Sequence, residues 1–393
     1  MRILQITVAS LGGIGRLTRD IDSVLIKEGF ESRIAYGRGE IIDPRRDYMF
    51  GSKVEIYLHA FWGRLDDSVG FHSKHGTREL LTFVDEFKPD LVHLHNLHGY
   101  YINIEILFSY LKRHNIPTVW TLHDCWSFTG HCANFEFSNC YKWKTQCNNC
   151  PISNSYPKTY IDRSRRNYNK KNVCFNSIHN LTLITPSEWL RSYVKQSFLN
   201  KHNVVTINNG IDLNVFHVTG VYKERAKKIV LGLASSWSER KGLNDFIRLA
   251  QILPDNFQIV LVGISDKIAK ILPLNIKTIS HTESVNELVD VYNKAFIFVN
   301  PTYEDNFPTT NLEALACGTS VLTYQTGGSV ESVTSETGYI VPQGDVLALA
   351  EKIKAHIKNE YTISACRNHS LLYDKNIAYN KYVELYKKIL NYE

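Results

Sequence analysis

A chain of 393 residues is too long for one ordinary hydrophobic core and points to two or three domains. With 44% hydrophobic and 21% charged residues, it reads as a folded protein with little room for long disorder. A net charge of +6 is too modest to argue for nucleic acid, but it suits anionic substrates or an anionic membrane surface.

The chain starts with "RILQIT", a short apolar run broken by Gln5 and Thr7. Its flanks resemble a secretion signal, yet the run is too short, and a buried first strand is the better reading. A glycine turn and an amphipathic helix follow over 12–29, ended by Gly29, and then a second strand over 32–37. "DLVHLHN" is a third strand, followed by a helix over 103–115 and the strand "PTVWTLHD". The strand-to-helix pattern repeats over 181–198 and 227–253, and "FQIVLVGIS", "AFIFVNP" and "TSVLTY" are further buried strands. No segment has the roughly 18 apolar residues a membrane span needs.

Strands alternating with helices imply βαβ units and mostly parallel sheets. The turn cluster of Asn, Gly and Asp at 208–214 divides two such series. The fold class expected is therefore α/β, with two facing Rossmann-like domains, 1–200 and 201–375, and a C-terminal helix at 376–393 able to pack back on the first.

Ligands of open α/β sheets sit beyond the carboxyl ends of the strands, so the loops there carry the functional reading. "GGIGR", with Gly13 and Gly15, follows a strand and opens a helix, which suits close backbone approach to an anionic ligand. Its spacing is not that of a dinucleotide fingerprint. "SERKG" sets Arg240 and Lys241 between a strand and a helix. In "YEDNFPTTNLEALACGTS", Thr310-x-x-Glu313 fits a capping box, and Gly318 supplies a left-handed stop. Helix starts contribute only about 0.3–1 kcal/mol each toward an anion, so a buried diphosphate also needs full cations nearby.

The segment "NPTYEDNFPTTNLEALACGTSVLTYQTGGSVES", with "ITPSEWL", the "INNGID" stretch and "TGYIVPQGD", resembles the family-4 retaining glycosyltransferases. The likeness runs across nearly the whole chain, with a flavour of bacterial capsule, exopolysaccharide or lipopolysaccharide enzymes. It implies the GT-B fold with an interdomain cleft, a nucleotide-diphosphate-sugar donor and a glycan or lipid-linked glycan acceptor. Uridine donors are expected first and guanosine donors next. The family's paired acids, seven residues apart, fall on Asp305 and Glu313, with aspartate replacing the first glutamate. By that likeness Glu313 binds the nucleotide ribose, Asp305 and His123 hold the donor sugar, and Asn306, Phe307, Pro308, Thr309 and Thr310 meet diphosphate or sugar. Arg240 and Lys241 then stabilise the leaving phosphate, although an arginine common upstream is absent from "SSWSERK". His95, His98 and Trp126 are assigned to the acceptor side, with plain packing as the alternative for the histidines. No catalytic metal is implied.

Cys132, Cys140, Cys147 and Cys150 are the odd feature. "CNNC" has zinc-knuckle spacing but the other gaps do not, so structural zinc, disulfide pairing and free thiols all stay open. Eight cysteines in a chain of this length are no disulfide framework, which suggests a cytoplasmic protein, placed by its acceptor at the inner face of the membrane. The stretch 158–172, with six cations and one acid, is either a solvated helix face or a contact with anionic lipid. The competing functions are a GT-B nucleotide-sugar epimerase and a silent nucleotide-sugar-binding homologue.

Overall fold

The computed structural model describes residues 1–220 and 226–392. The chain divides into two compact units, Met1–Asn208 with the C-terminal stretch from Tyr379, and Asn209–Ala378. The first unit's sheet contains β1 (Arg2–Ala9), β2 (Glu31–Arg38), β3 (Asp47–Met49), β4 (Leu91–Leu94), β5 (Thr118–Thr121), β6 (Leu181–Thr185) and β7 (Asn203–Thr206). They lie in the order β3-β2-β1-β4-β5-β6-β7, every neighbouring pair parallel. Between them run α1 (Gly12–Lys27), α2 (Lys53–Asp66), α3 (Lys74–Phe87), α4 (Ile104–His114), α5 (Ser164–Phe175) and α6 (Glu188–Gln196).

The second sheet holds β8 (Lys228–Leu233), β9 (Phe257–Val262), β10 (Ile276–Ile279), β11 (Ile297–Asn300), β12 (Val321–Tyr324) and β13 (Gly338–Val341). Its order is β10-β9-β8-β11-β12-β13, again all parallel. Its helices are α7 (Leu243–Ile252), α8 (Asp266–Ala269), α9 (Val285–Lys294), α10 (Thr309–Ala316), α11 (Val346–Ala355) and α12 (Glu360–Ser370), and α13 (Lys375–Ile389) closes the chain.

Parallel strands covered on both faces read as continuous apolar runs, and β4, β5, β6, β11 and β12 are buried at every position. The side-chain period of two splits β11 between two cores. Ile297 and Val299 pack with Val230, Leu322, Phe246 and Leu349, whereas Phe298 packs with Val321, Tyr292, Leu312 and Leu315. In the first unit, Tyr386 of α13 is buried with its hydroxyl 2.7 Å from His93 Nδ1, which ties the C-terminal helix to β4.

Both strand orders reverse at the first strand of their series, between β1 and β4 and between β8 and β11. Adjacent crossovers leave to opposite faces there, so the loops at the carboxyl ends border a crevice within each unit. Gly15 seats α1 on its strand: a Cβ at this position would lie 2.7 Å from both the carbonyl carbon and the oxygen of Ser10. Backbone cannot yield as a side chain can, so Gly15→Ala is expected to destabilise the first unit by about 1–3 kcal/mol. The check is a lowered melting temperature, with Gly13→Ala as the milder comparison because a Cβ there meets nothing within 4 Å.

Candidate active site

In the second unit the loop after β8 makes a tight turn over Glu239–Lys241 and closes at Gly242, whose φ is +74°. A Cβ on Gly242 would stand 2.3 Å from the Pro301 carbonyl oxygen, so this glycine lets the loop lie against the one after β11. Several bonds join the two loops. Tyr303 N–H donates to the Arg240 carbonyl at 2.8 Å, and Arg240 Nη1 donates to the Glu304 carbonyl at 2.8 Å. Lys241 Nζ meets Asp305 Oδ2 at 2.5 Å, with both side chains partly exposed. From the far side, Gly327 (φ +51°) backs onto the Asp305 carbonyl, where a Cβ would come within 1.9 Å. Gly328 N–H donates to the same carbonyl at 3.1 Å.

Helix α10 begins at Thr309 behind Pro308, with no side-chain cap bond, and this overturns the expected capping box. Thr310 is already inside the helix, and Glu313 Oε2 accepts the Tyr292 hydroxyl at 2.8 Å. Tyr292 is fully buried, and burial together with the Glu313 charge pushes its phenol well above the ordinary value, so it stays the donor. The left-handed stop at Gly318, φ +70°, is as the sequence predicts. Thr309 is exposed, while Asn306 and Thr310 are half-buried. Phe307 and Pro308 are buried, and the Phe307 carbonyl accepts from Asn209 Nδ2 at 3.0 Å, so only backbone is available there.

Under this rim Asn311 is fully buried and satisfied on both ends. Its Oδ1 accepts from Asn300 Nδ2 at 2.9 Å, and its Nδ2 reaches Ser329 Oγ and Ser332 Oγ at 3.1 Å each. Sequence reading missed Asn311, Tyr292 and the two glycines at 327–328. The only signal was polar residues at positions an apolar helix stripe or strand run would otherwise fill.

In the first unit the loops after β4 and β5 bring histidines together. His95 is fully buried, with Nε2 3.3 Å from Gln5 Oε1 and Nδ1 3.2 Å from His123 Nε2. Burial holds His95 well below the ordinary value and brings His123 down to about 4, the Asp124 charge opposing the shift. Both rings are neutral at pH 7, and the tautomer decides which one donates. Beside them His98 bridges Asp124 Oδ2 at 2.7 Å and the Tyr156 hydroxyl at 3.0 Å. Burial alone would raise the Asp124 carboxyl, yet His98 and the Trp126 amide hold it below its usual range.

His95 and Trp126 therefore support the site rather than line it. The Trp126 side chain is buried, with Lys171 Nζ 3.4 Å above its ring. Lys171 also donates to the Trp126 and Thr129 carbonyls, so one of the cations read as surface charge is a core residue, its amine brought down to about 7 by burial.

All four clustered cysteines border one small cavity. Burial raises the Cys147 thiol to about 12, and a bond to Cys132 draws the Cys150 thiol below its ordinary value. Among the described residues, no three His, Cys, Asp or Glu side chains are grouped as a metal ion would require. Zinc there rests on the spacing and the shared cavity, not on a preformed ligand set.

The Glycosyltransferase Family 4 profile matches residues 11–215, and the profile described as glycosyl transferases group 1 matches 220–370. The chain belongs to glycosyltransferase family 4. It is 27% identical over 386 residues to Escherichia coli WcaC, assigned by its name to colanic acid biosynthesis as a glycosyl transferase, covering 91% of each chain. It is also 27% identical over 212 residues to the N,N'-diacetylbacillosaminyl-diphospho-undecaprenol alpha-1,3-N-acetylgalactosaminyltransferase of Campylobacter jejuni, covering 48% of this chain and 56% of that one. Among solved structures, sucrose-phosphate synthase from Thermosynechococcus elongatus superposes with a TM-score of 0.73 at 16% identity over 99% of both chains. Anabaena Alr3699/HepE in complex with UDP does so with 0.67 at 14% identity, over 99% of this chain and 100% of that one. These likenesses identify the two parallel sheets as the GT-B fold.

Two outcomes follow from the site's bonds. Tyr292→Phe removes the donor that fixes Glu313, and the second unit should lose about 1–2 kcal/mol of stability in chemical denaturation. The depressed histidines set a pH dependence. The unfolded chain takes up protons below about pH 6.5, whereas folded His123 resists until about 4. The melting temperature should fall as pH drops through that window, with the fall reduced in His123→Gln.

Proposed function

We propose that this family-4 enzyme transfers a sugar, with retention of configuration, from a nucleotide diphosphate donor to a glycan or lipid-linked glycan in surface polysaccharide assembly. The observation that carries this reading is the contact of Lys241 with Asp305 at the switch point of the second sheet, beside the start of α10. Relative to Lys241 Nζ, the Asp305 carboxylate occupies the place a phosphate oxygen of the donor would take. When a diphosphate enters, Lys241 turns to it, and Asp305 is released to accept hydroxyls of the donor sugar. Arg240 and the α10 amides add positive potential at the leaving phosphate, where charge develops, which is electrostatic catalysis without a metal ion.

Retention without an enzymic nucleophile corresponds to attack on the face the nucleotide leaves, with the departing phosphate taking the acceptor's proton. Glu313, fixed by Tyr292, receives the ribose, and in the first unit neutral His123 remains a hydrogen-bonding group for a ligand of that unit's own crevice. Names of relatives, with their colanic acid and diphospho-undecaprenol chemistry, support the class of acceptor. The UDP complex of a structural neighbour supports trying uridine donors first and guanosine donors next.

A calorimetric screen of uridine, guanosine, adenosine and thymidine diphosphates tests the donor site. One base should be preferred, and Lys241→Ala should weaken that binding tenfold or more, given about 1.5–3 kcal/mol for a charge-assisted bond. Unchanged affinity in Lys241→Ala would remove the phosphate role. Product anomers from the accepted donor, with a chelator present, test retention and metal independence together. The cysteine loop carries a separate proposal of structural zinc, with about one equivalent per chain expected and lost in Cys150→Ser.

A further inference from the structure

Helix α2 reverses the usual pattern of a surface helix. Only His59 and Gly63 of its fourteen residues are buried. Val54, Tyr57, Leu58, Phe61 and Trp62 all stand exposed, with Tyr57 at 74%. Their spacing of i, i+3, i+4, i+7 and i+8 places them in one continuous stripe. The stripe is extended by a second segment seated on the helix's end. Tyr160 N–H donates to the Arg64 carbonyl at 2.8 Å and Ile161 N–H to the Leu65 carbonyl at 3.2 Å, and both side chains are exposed. Contiguous apolar patches of this kind on a folded unit mark contact surfaces.

Charge identifies the partner. Exposed Lys53 and Arg64 lie at the two ends of the stripe, exposed Lys158 precedes Tyr160, and exposed Arg165 and Arg166 open α5. The neighbouring acids are engaged by donors of their own unit. Glu55 accepts the His75 and Gly76 amides, Asp66 bonds Ser68 and Arg163, and Asp162 accepts the Cys150 and Ser164 amides. Aromatic and aliphatic side chains flanked by cations, with the nearby carboxylates already hydrogen-bonded, match the boundary of an anionic bilayer, where Trp and Tyr sit at headgroup depth. No helix among the described residues is long and apolar enough to cross a membrane, so attachment here is to a surface.

We infer that the exposed face of α2, continued by Tyr160 and Ile161 and flanked by Lys53, Arg64, Lys158 and Arg165, docks the first unit on an anionic lipid surface. The lipid-linked acceptor in the proposed function gives such docking a purpose, but the surface is argued from its own residues. Cations near an anionic membrane each raise partitioning about fivefold, so binding should depend on both anionic lipid and salt.

The test is flotation of the full chain with vesicles of two parts phosphatidylcholine to one part phosphatidylglycerol, against phosphatidylcholine alone. The unmodified chain should float with the anionic vesicles and be released by high salt. Phe61→Ser with Trp62→Ser, and separately Arg165→Glu with Arg166→Glu, should each lower partitioning at least tenfold. Both pairs are exposed, so melting temperature and diphosphate binding should be unchanged. A chain that stays soluble, or variants that float as well as the original, would overturn the inference. So would self-association in the absence of lipid that Phe61→Ser with Trp62→Ser abolishes, since the face would then be covered by a second copy. Lost flotation with intact diphosphate binding removes this inference alone, and the converse removes the donor-site reading alone.

Discussion

An all-parallel sheet can be covered on both faces only by crossover connections, and reversing the strand order leaves one place where neighbouring crossovers depart in opposite directions. The loop residues with which the candidate site is built collect at or beside those two reversals. In the second unit β8 and β11 flank the reversal, and their loops carry Arg240, Lys241 and Asp305. In the first unit β1 and β4 do so, with the α1 glycines on one side and His95 and His98 on the other. His123 joins them from β5, one strand further along. The geometry follows from topology first and from side chains second.

The two sites are held in different ways. In the second unit the fit is made largely by backbone: Gly242 against Pro301 and Gly327 against the Asp305 carbonyl bring three loops to within contact distance. The exposed charges then need little further support to stay close. In the first unit the arrangement is a run of linked polar side chains, buried at Gln5, His95 and His98 and opening outward at Tyr156, with Gln5–His95–His123 beside Tyr156–His98–Asp124, in which each member constrains the next. Burial keeps His95 and His123 uncharged, so this cluster can offer and accept hydrogen bonds without carrying positive charge.

The parallel-sheet architecture was legible because buried strands such as "FIFVN" and "LVHLH" are continuous apolar runs between turn-forming stretches. The charged loop residues were legible from their position after those strands and from the family likeness. The capping box was misread because Thr310 and Glu313 have the right spacing two residues too late: Pro308, with no N–H to satisfy and a preset φ, starts the helix at Thr309. Tyr292 lies 21 residues from Glu313, and no local pattern marks it as that acid's partner. Lys171 looked like one more surface cation because nothing in its neighbourhood reveals that Trp126 and Thr129 surround it. Helix α2 escaped notice for the opposite reason, since its apolar residues imitate a core-facing stripe while facing outward.

The buried Asn311 has one further implication. A single side chain joins β11 through Asn300, helix α10 through its own backbone, and the turn after β12 through Ser329 and Ser332. Breaking any one of these attachments inside a dry core leaves a polar group unpaired, so the three segments cannot loosen independently at small cost. They form one cooperative block, and the floor beneath Asp305 and Glu313 moves as a body or not at all. Flexibility at this rim is then left to segments outside the block, such as the 238–242 turn, which packs on it through Gly242 and the Arg240 and Lys241 contacts.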